Sequence, residues 1–169
     1  AEIIINCEFT SENITLYQLD LYLPEGITLA KNDKGRFAAG TTYKLSNRHD
    51  EHTATIKERE GFFRIVVSNN EGYTITPGSG ELLRFKVEVD KSVNSSQKGY
   101  VKQFSLFETD ETEHAMPNVS FELKASQQYW YVGFGDTPTS VDLANIKTSA
   151  SETGWHNFTA GTTELQVGP

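Results

Sequence analysis

Segments in which apolar and polar residues alternate recur along most of the chain. The clearest segment is 81–90, in which every second residue is apolar. Its apolar positions are Leu83, Phe85, Val87 and Val89. Because successive side chains of a β-strand point to opposite faces, this period of two predicts a strand with one buried face and one solvated face.

Similar segments, separated by turn residues, fill the chain up to about residue 125. The predicted strands are 3–9, 15–23, 27–30, 53–57, 62–68, 81–90, 99–107, 119–123 and 129–134. Turn sequences such as 24–26 (Pro-Glu-Gly) and 77–80 (Pro-Gly-Ser-Gly) lie between them. About nine short strands with this spacing predict an all-β fold, an antiparallel sandwich or barrel. A short helix at 140–146 is the one exception.

The composition changes near residues 125–127, after which Gly, Thr, Ser and aromatic residues become more frequent. Both tryptophans of the chain, Trp130 and Trp155, lie beyond this point. About forty residues are few for an independent domain. We therefore expect 1–125 to form the sandwich, and 126–169 to be a C-terminal extension or the start of a truncated second domain.

The composition argues against several classes of protein. The 169 residues include 15 Lys plus Arg and 23 Asp plus Glu, a net charge of −8, which argues against a nucleic-acid partner. No apolar run approaches the roughly 18 residues of a membrane span. The single cysteine, Cys7, excludes an internal disulfide, and its place on the apolar face of the first strand predicts a buried thiol. Because the chain begins with Ala1, we expect a mature or excised fragment without its signal peptide.

Two segments resemble motifs of cohesin-like modules. Leu16–Ile27 is similar to the early paired strand of these modules, and Pro77–Val87 is similar to their Gly-x-Gly-x-Leu-x-x-hydrophobic strand. With the intervening strands, the likeness spans about residues 1–124. The resemblance implies a jelly-roll sandwich of nine strands, related in shape to several carbohydrate-binding modules.

The resemblance also implies a function. Cohesin-like modules occur in exported bacterial proteins and mediate protein–protein attachment, dockerin modules being their best-known partners. They have no catalytic residues to carry over to this sequence. The resemblance therefore implies a non-catalytic module, secreted or on the cell surface, that serves in adhesion or attachment and needs no cofactor. A purely structural spacer in a larger chain is an alternative.

Carbohydrate binding is a second alternative, from a different class of function. Tyr129, Trp130 and Tyr131 form the densest aromatic group of the chain, and Trp155 is a further candidate. Exposed aromatic rings bind sugars because the apolar C–H face of the sugar stacks on the ring. In a strand, however, Trp130 points away from its two neighbours, so packing on the sandwich is the simpler role for one face.

Two groups of polar residues raise the question of a metal site. Residues 49–52 (His-Asp-Glu-His) contain two imidazoles and two carboxylates, but their surroundings are typical of a solvated loop entering a strand. The second group is the acidic residues Glu108, Asp110, Glu111 and Glu113. It lacks the Asp-x-Asp-x-Asp-Gly pattern of a calcium loop and is more typical of a charged turn. The sequence therefore predicts no metal site.

No local signature of an enzyme is present. Ser79 lies in Pro-Gly-Ser-Gly-Glu and not in the Gly-x-Ser-x-Gly pattern of a nucleophile elbow. There is no phosphate-binding loop, and Cys7 is predicted to be buried. We therefore expect a binding module and not an enzyme.

Overall fold

A computed structural model describes residues 1–124 and 129–134, and within these ranges the chain forms strands and no helix. The strands are β1 (Glu2–Cys7), β2 (Ile14–Tyr22), β3 (Ile27–Leu29), β4 (Tyr43–Leu45), β5 (Thr53–Arg59), β6 (Phe62–Ser68), β7 (Glu81–Val89), β8 (Gln97–Glu108), β9 (Glu113–Ala115), β10 (Val119–Leu123) and β11 (Tyr129–Phe134). The helix predicted at 140–146 lies outside the described residues. Nothing in the described ranges forms a helix long and apolar enough to cross a membrane.

The strands form two sheets. The first sheet has the order β11-β1-β7-β3, with β4 also pairing β7, and the second has the order β10-β8-β2-β6-β5, with β9 also pairing β8. All pairs are antiparallel except β1 with β11. The predicted all-β sandwich is therefore confirmed. The structure has more strands than predicted because β4 and β9, of three residues each, are too short to show a period of two.

Residues 129–134 contribute an edge strand to the first sheet. In β11, Tyr129 to Phe134 pair in parallel with Glu2 to Cys7 of β1. Val132 and Phe134 are buried. The division of the chain near residue 125, and the nature of the rest of 126–169, stay predictions.

The core lies between the two sheets and follows the predicted alternation. Its fully buried side chains include Tyr17, Leu19 and Leu21 of β2 and Leu83 and Phe85 of β7. Cys7 is also buried, as predicted. Burial of such side chains is the main favourable contribution to folding, roughly 25 cal/mol for each Å² of apolar surface removed from water.

An irregularity in β8 changes which side chains face outward. Gln103 has a φ of 51°, and the register of β8 against β2 shifts at this point. This bulge inserts one residue into the alternation, so that Val101 and Phe104 both point into the core. Tyr100 and Lys102 therefore face outward before the bulge, in phase with the rest of the outer face.

A buried arginine forms hydrogen bonds with the connections that cross between the sheets. Arg48 lies between β4 of the first sheet and β5 of the second, and it is 9% exposed. Its guanidinium donates to the carbonyl oxygens of Cys7 (2.7 Å), Thr76 (2.9 Å) and Gly78 (2.9 Å), and lies 4.5 Å from the centre of the Phe9 ring. These bonds fix the end of β1 and the approach to β7, and burial lowers the pKa of Arg48.

We expect Arg48→Met to lower the free energy of unfolding by about 3 kcal/mol or more. The apolar side chain keeps much of the volume but leaves carbonyls that Arg48 bonded without a donor, and an orphaned buried acceptor costs about 1–3 kcal/mol. Chemical denaturation measures the change. Arg36→Met, at an exposed position, is the matched control. Equal stability of the two variants would show that Arg48 does not hold the connections.

Candidate functional site

The outer face of the second sheet carries two rows of side chains that run across four strands. What we name the cationic row consists of Lys57, Arg64, Asp20 and Lys102, which lie directly opposite one another on β5, β6, β2 and β8. The aromatic row lies next to it and consists of Arg59, Phe62, Tyr22 and Tyr100 on the same four strands. Directly opposite residues share a face of an antiparallel sheet, so each row is one continuous surface.

The cationic row contains a single carboxylate. Asp20, 3% exposed, accepts from Nε of Arg64 (2.8 Å) and from Nη2 of Arg64 (2.7 Å) in a fork, and these hydrogen bonds raise the pKa of Arg64. Lys57 lies opposite Arg64, and Lys102 lies opposite Asp20. Two like charges therefore face each other at Lys57 and Arg64, an arrangement that destabilises a sheet.

The rings of the aromatic row stack on each other and are contacted by cations of the cationic row. The rings of Tyr22 and Phe62 are stacked, with centroids 5.0 Å apart and planes inclined by 23°. The Lys102 ammonium reaches across from the cationic row and lies 4.7 Å from the centre of the Tyr22 ring and 5.2 Å from that of Tyr100. Arg64 lies 5.6 Å from the centre of the Phe62 ring. Cation–π contacts of this kind hold the side chains in place at the surface.

Three further outward positions of this face are apolar, among polar residues such as Gln18 and Thr55. Leu16, Val66 and Phe107 lie at its outward positions, on β2, β6 and β8, and are half-buried. Tyr100 is 39% exposed. Tyrosine, phenylalanine and arginine are enriched at protein interfaces, where they account for much of the binding energy. The composition of the face is therefore typical of a protein interface.

The outer face of the first sheet differs. Arg84 of β7 is held by a fork to Glu81 and by Glu2 of β1 at 2.9 Å. These hydrogen bonds and charges, with that to Glu81 as the largest cause, raise the pKa of Arg84. Lys86 and Glu88 are exposed beside it, as the alternation predicted. Charges of opposite sign are interspersed here, as on an ordinary solvated surface.

The aromatic residues predicted as a glycan-binding group are not part of the two rows. The backbone of Tyr129, Trp130 and Tyr131 lies in β11, at one edge of the first sheet. Trp155 lies outside the described residues. Sugar binding by these four residues stays a prediction.

Sequence reasoning missed Tyr22, Phe62 and Tyr100. Each occupies an outward position of its strand, where a polar residue is expected. Tyr22, for example, follows the inward-facing Leu19 and Leu21 and lies at the next outward position of β2. An aromatic residue in the polar phase was the available signal, but only the pairing of β6, β2 and β8 brings the three rings together.

Residues 49–52 form a loop that enters β5, as predicted, with Asp50 and Glu51 exposed, but the expectation that the two histidines are solvated was wrong. His52 is 8% exposed; its Nε2 donates to the Thr15 carbonyl (3.0 Å) and its Nδ1 accepts from the Asp50 amide (3.2 Å). His49 is half-buried; its Nδ1 donates to the Ser46 carbonyl (3.1 Å), and its Nε2 accepts from the Tyr17 hydroxyl (3.0 Å). The Thr15 carbonyl and the Tyr17 hydroxyl of β2 thus each bind one of the two imidazole rings. In the described ranges no three His, Cys, Asp or Glu side chains are grouped to hold a metal ion.

Two of the four acidic residues, Glu108 at the end of β8 and Glu113 at the start of β9, are bound by neighbouring side chains. Glu108 accepts from Ser11 (2.6 Å) and lies 2.8 Å from Nε2 of His114, and these hydrogen bonds, that from Ser11 first, lower the pKa of Glu108. Glu113 accepts from Ser105 (2.6 Å). The carboxylates therefore stabilise the turn between β8 and β9.

Comparisons with known proteins found similarity of structure only. No family model matches the chain, and no curated protein matches it. It is similar to a cohesin module of a family 33 glycoside hydrolase from Clostridium perfringens, with 15% identity over 70% of this chain and 75% of that one and a TM-score of 0.48. It is also similar to a non-cellulosomal cohesin from the archaeon Archaeoglobus fulgidus, with 11% identity over 79% and 87% of the two chains and a TM-score of 0.43.

A third similar structure is the third cohesin of ScaC from Acetivibrio cellulolyticus, determined in complex with the ScaB dockerin. It shares 10% identity over 80% of this chain and 96% of that one, with a TM-score of 0.45. These are modest similarities of fold to the family that the sequence motifs resemble. They assign no functional residue of this chain.

We expect Lys57→Glu to raise the free energy of unfolding by about 0.5–1 kcal/mol. The substitution replaces a like-charge pair with an opposite-charge pair at a directly opposed position. Thermal and chemical unfolding at low ionic strength measure the gain, and salt should reduce it. Lys34→Glu, at an exposed position outside the sheets, is the control. A loss of stability in Lys57→Glu alone would contradict the strained pairing.

We expect the half-buried, neutral His49 to destabilise the protein as the pH falls. Burial, the largest cause, lowers the pKa of His49 from 6.5 to about 4. The unfolded chain therefore binds the proton first, and the free energy of unfolding decreases as the pH falls from about 6.5 to 4, by on the order of 2 kcal/mol. Denaturation curves between pH 4 and 7 test this. His49→Gln should flatten this part of the profile, and an unchanged profile would show that His49 does not cause it.

Proposed function

We propose that this chain is a non-catalytic attachment module that binds a protein partner through the outer face of its second sheet. The observation that carries the proposal is the pairing of the cationic row with the aromatic row. Interfaces concentrate their binding energy in a few aromatic and arginine side chains surrounded by other contacts. The aromatic row supplies such side chains on four adjacent strands, and the resemblance of Leu16–Ile27 and Pro77–Val87 to cohesin-like modules supports the same function.

The arrangement of the rings favours a protein partner over a glycan on this face. Sugar recognition needs an aromatic ring whose face is open to the C–H face of the sugar. The Tyr22 ring is stacked on Phe62 and is also contacted by the Lys102 ammonium. The rings therefore present edges, hydroxyls and cations, which suit the side chains of a protein surface.

The proposal includes an exported, cell-surface setting in which the module serves in adhesion or attachment. Its support is the sequence resemblance, because members of the cohesin-like family occur in exported bacterial proteins. A dockerin-like partner is the corresponding expectation. In this setting the module contributes binding to a larger assembly and performs no chemistry of its own.

We expect Tyr100→Ala to weaken partner binding at least tenfold. Tyr100 and Tyr73 are the two large exposed apolar side chains of the described residues, 39% and 43% exposed. Tyr73→Ala is therefore a matched control, since Tyr73 lies in the connection between β6 and β7, outside both rows. The immobilised module captures the partner from the extracellular and surface fraction of its own organism, and calorimetry then gives the affinity of each variant.

Equal binding by Tyr100→Ala and wild type would overturn the assignment of the face. A glycan array examines the alternative. A specific hit for the wild type that Trp130→Ala loses, with no protein captured, would support sugar recognition by the C-terminal aromatic group instead.

A further inference from the structure

Charge is distributed unevenly between this face and the rest of the chain. The two rows hold four cations, Lys57, Arg59, Arg64 and Lys102, and one carboxylate, Asp20, which gives a local net charge of +3. The whole chain has a net charge of −8. A positive surface on an acidic protein is a local feature that composition does not produce by itself.

Three of the four cations are not neutralised within the rows. Asp20 is committed to Arg64 through both carboxylate oxygens. Lys57 lies opposite Arg64, Arg59 lies opposite Phe62, and Lys102 lies against two tyrosine rings. Ion pairs between described residues of the two rows are limited to the Arg64–Asp20 pair. The free cations surround the aromatic side chains.

We propose that the partner presents carboxylates around a central apolar or aromatic side chain. The proposal rests on the proposed function and adds the chemistry of the partner. The apolar group contacts the aromatic row, and the carboxylates bind Lys57 and Lys102, the two ends of the cationic row. Lys57 and Lys102 lie three strand spacings apart, about 14 Å at 4.8 Å for each spacing, so the partner's carboxylates should be separated by about 10–14 Å. The attraction of opposite charges supplies specificity as well as affinity.

A protein is the better candidate than a polyanionic polysaccharide. A polysaccharide of repeating acidic sugars favours an extended track of cations, whereas this face places its cations around rings that are already stacked. An apolar group among carboxylates is a common feature of protein surfaces. The polysaccharide is therefore an outcome that the test must detect.

A display selection tests the partner's chemistry without a known partner. The probe is a yeast-display library of a small helical scaffold with randomised surface positions, selected against the wild-type module. We expect the enriched clones to carry more Asp and Glu than the unselected library, together with a Tyr, Trp, Phe or Leu. We expect the double variant Lys57→Glu/Lys102→Glu to bind them at least tenfold more weakly. Lys86→Glu, the same change on the outer face of the first sheet, should bind them like the wild type.

A second variant guards against loss of folding. Lys57→Gln/Lys102→Gln removes the charges without reversing them and should bind the same clones with intermediate affinity; a cooperative thermal transition shows that each variant is folded. Suppose that the enriched clones are neutral or basic and that Tyr100→Ala abolishes their binding. This result would overturn the proposal of an acidic partner and leave the proposed function intact. Clones whose affinity does not change with any substitution on the face would overturn both the acidic partner and the proposed function. Failure to enrich any clone would count against the inference.

Heparin, a sulfated polysaccharide, is the second probe. Micromolar binding of heparin that Lys57→Glu/Lys102→Glu abolishes and Lys86→Glu does not would assign the face to polyanionic polysaccharides and overturn the protein partner. We expect heparin to bind the wild type and the charge-reversed variant with the same weak affinity.

Discussion

Side chains of a β-strand point alternately to two faces, and in β2 this constraint links the core of the protein to its candidate binding surface. The inward residues Tyr17, Leu19 and Leu21 are fully buried, while the outward residues Asp20 and Tyr22 each occupy the centre of a row. A shift of one residue in the pairing of β2 would exchange the two sets. The register that forms the core therefore also forms the surface, and the surface needs no separate mechanism of assembly.

The stability of the fold and the composition of the face have different physical sources. Apolar burial and the bonds of Arg48 to carbonyl groups hold the two sheets and their connections together. The opposition of Lys57 and Arg64, in contrast, places two cations at directly opposed positions, where only Arg64 has a carboxylate partner. Natural sequences break local rules of this kind chiefly at functional sites. This pairing of cations is thus a further feature that the proposed function would explain.

The sequence predicted the strands well where alternation is long and poorly where it is short or interrupted. The period of two in 81–90 corresponds to β7, whereas β4 is too short to show any period. The bulge at Gln103 was not predictable from alternation, since one inserted residue only makes the pattern look irregular. The environment of His49 was unpredictable for a different reason: the hydroxyl that binds it belongs to Tyr17, more than thirty residues away.

The candidate site depends on strand order even more than the fold does. Each cation and each ring is visible in the sequence, but their rows exist only because β5, β6, β2 and β8 are neighbours in space. No pattern within one strand contains that information. The glycan-binding prediction, which stays untested, rested on Trp155 and on three aromatic residues adjacent in sequence, a kind of grouping that sequence displays directly.

The opposite signs of the face and of the whole chain favour one orientation of an acidic partner. At physiological ionic strength charges are screened beyond about 8 Å, so the net charge of −8 hardly repels an acidic protein from a distance. At contact, acidic parts of the surface repel such a partner, and like-charge contacts at an interface cost several kcal/mol. The two rows, in contrast, present mainly cations to the partner. Negative charge elsewhere therefore acts against incorrect docking, while the two rows, with a net charge of +3, supply the attraction. Specificity arises from the difference between them.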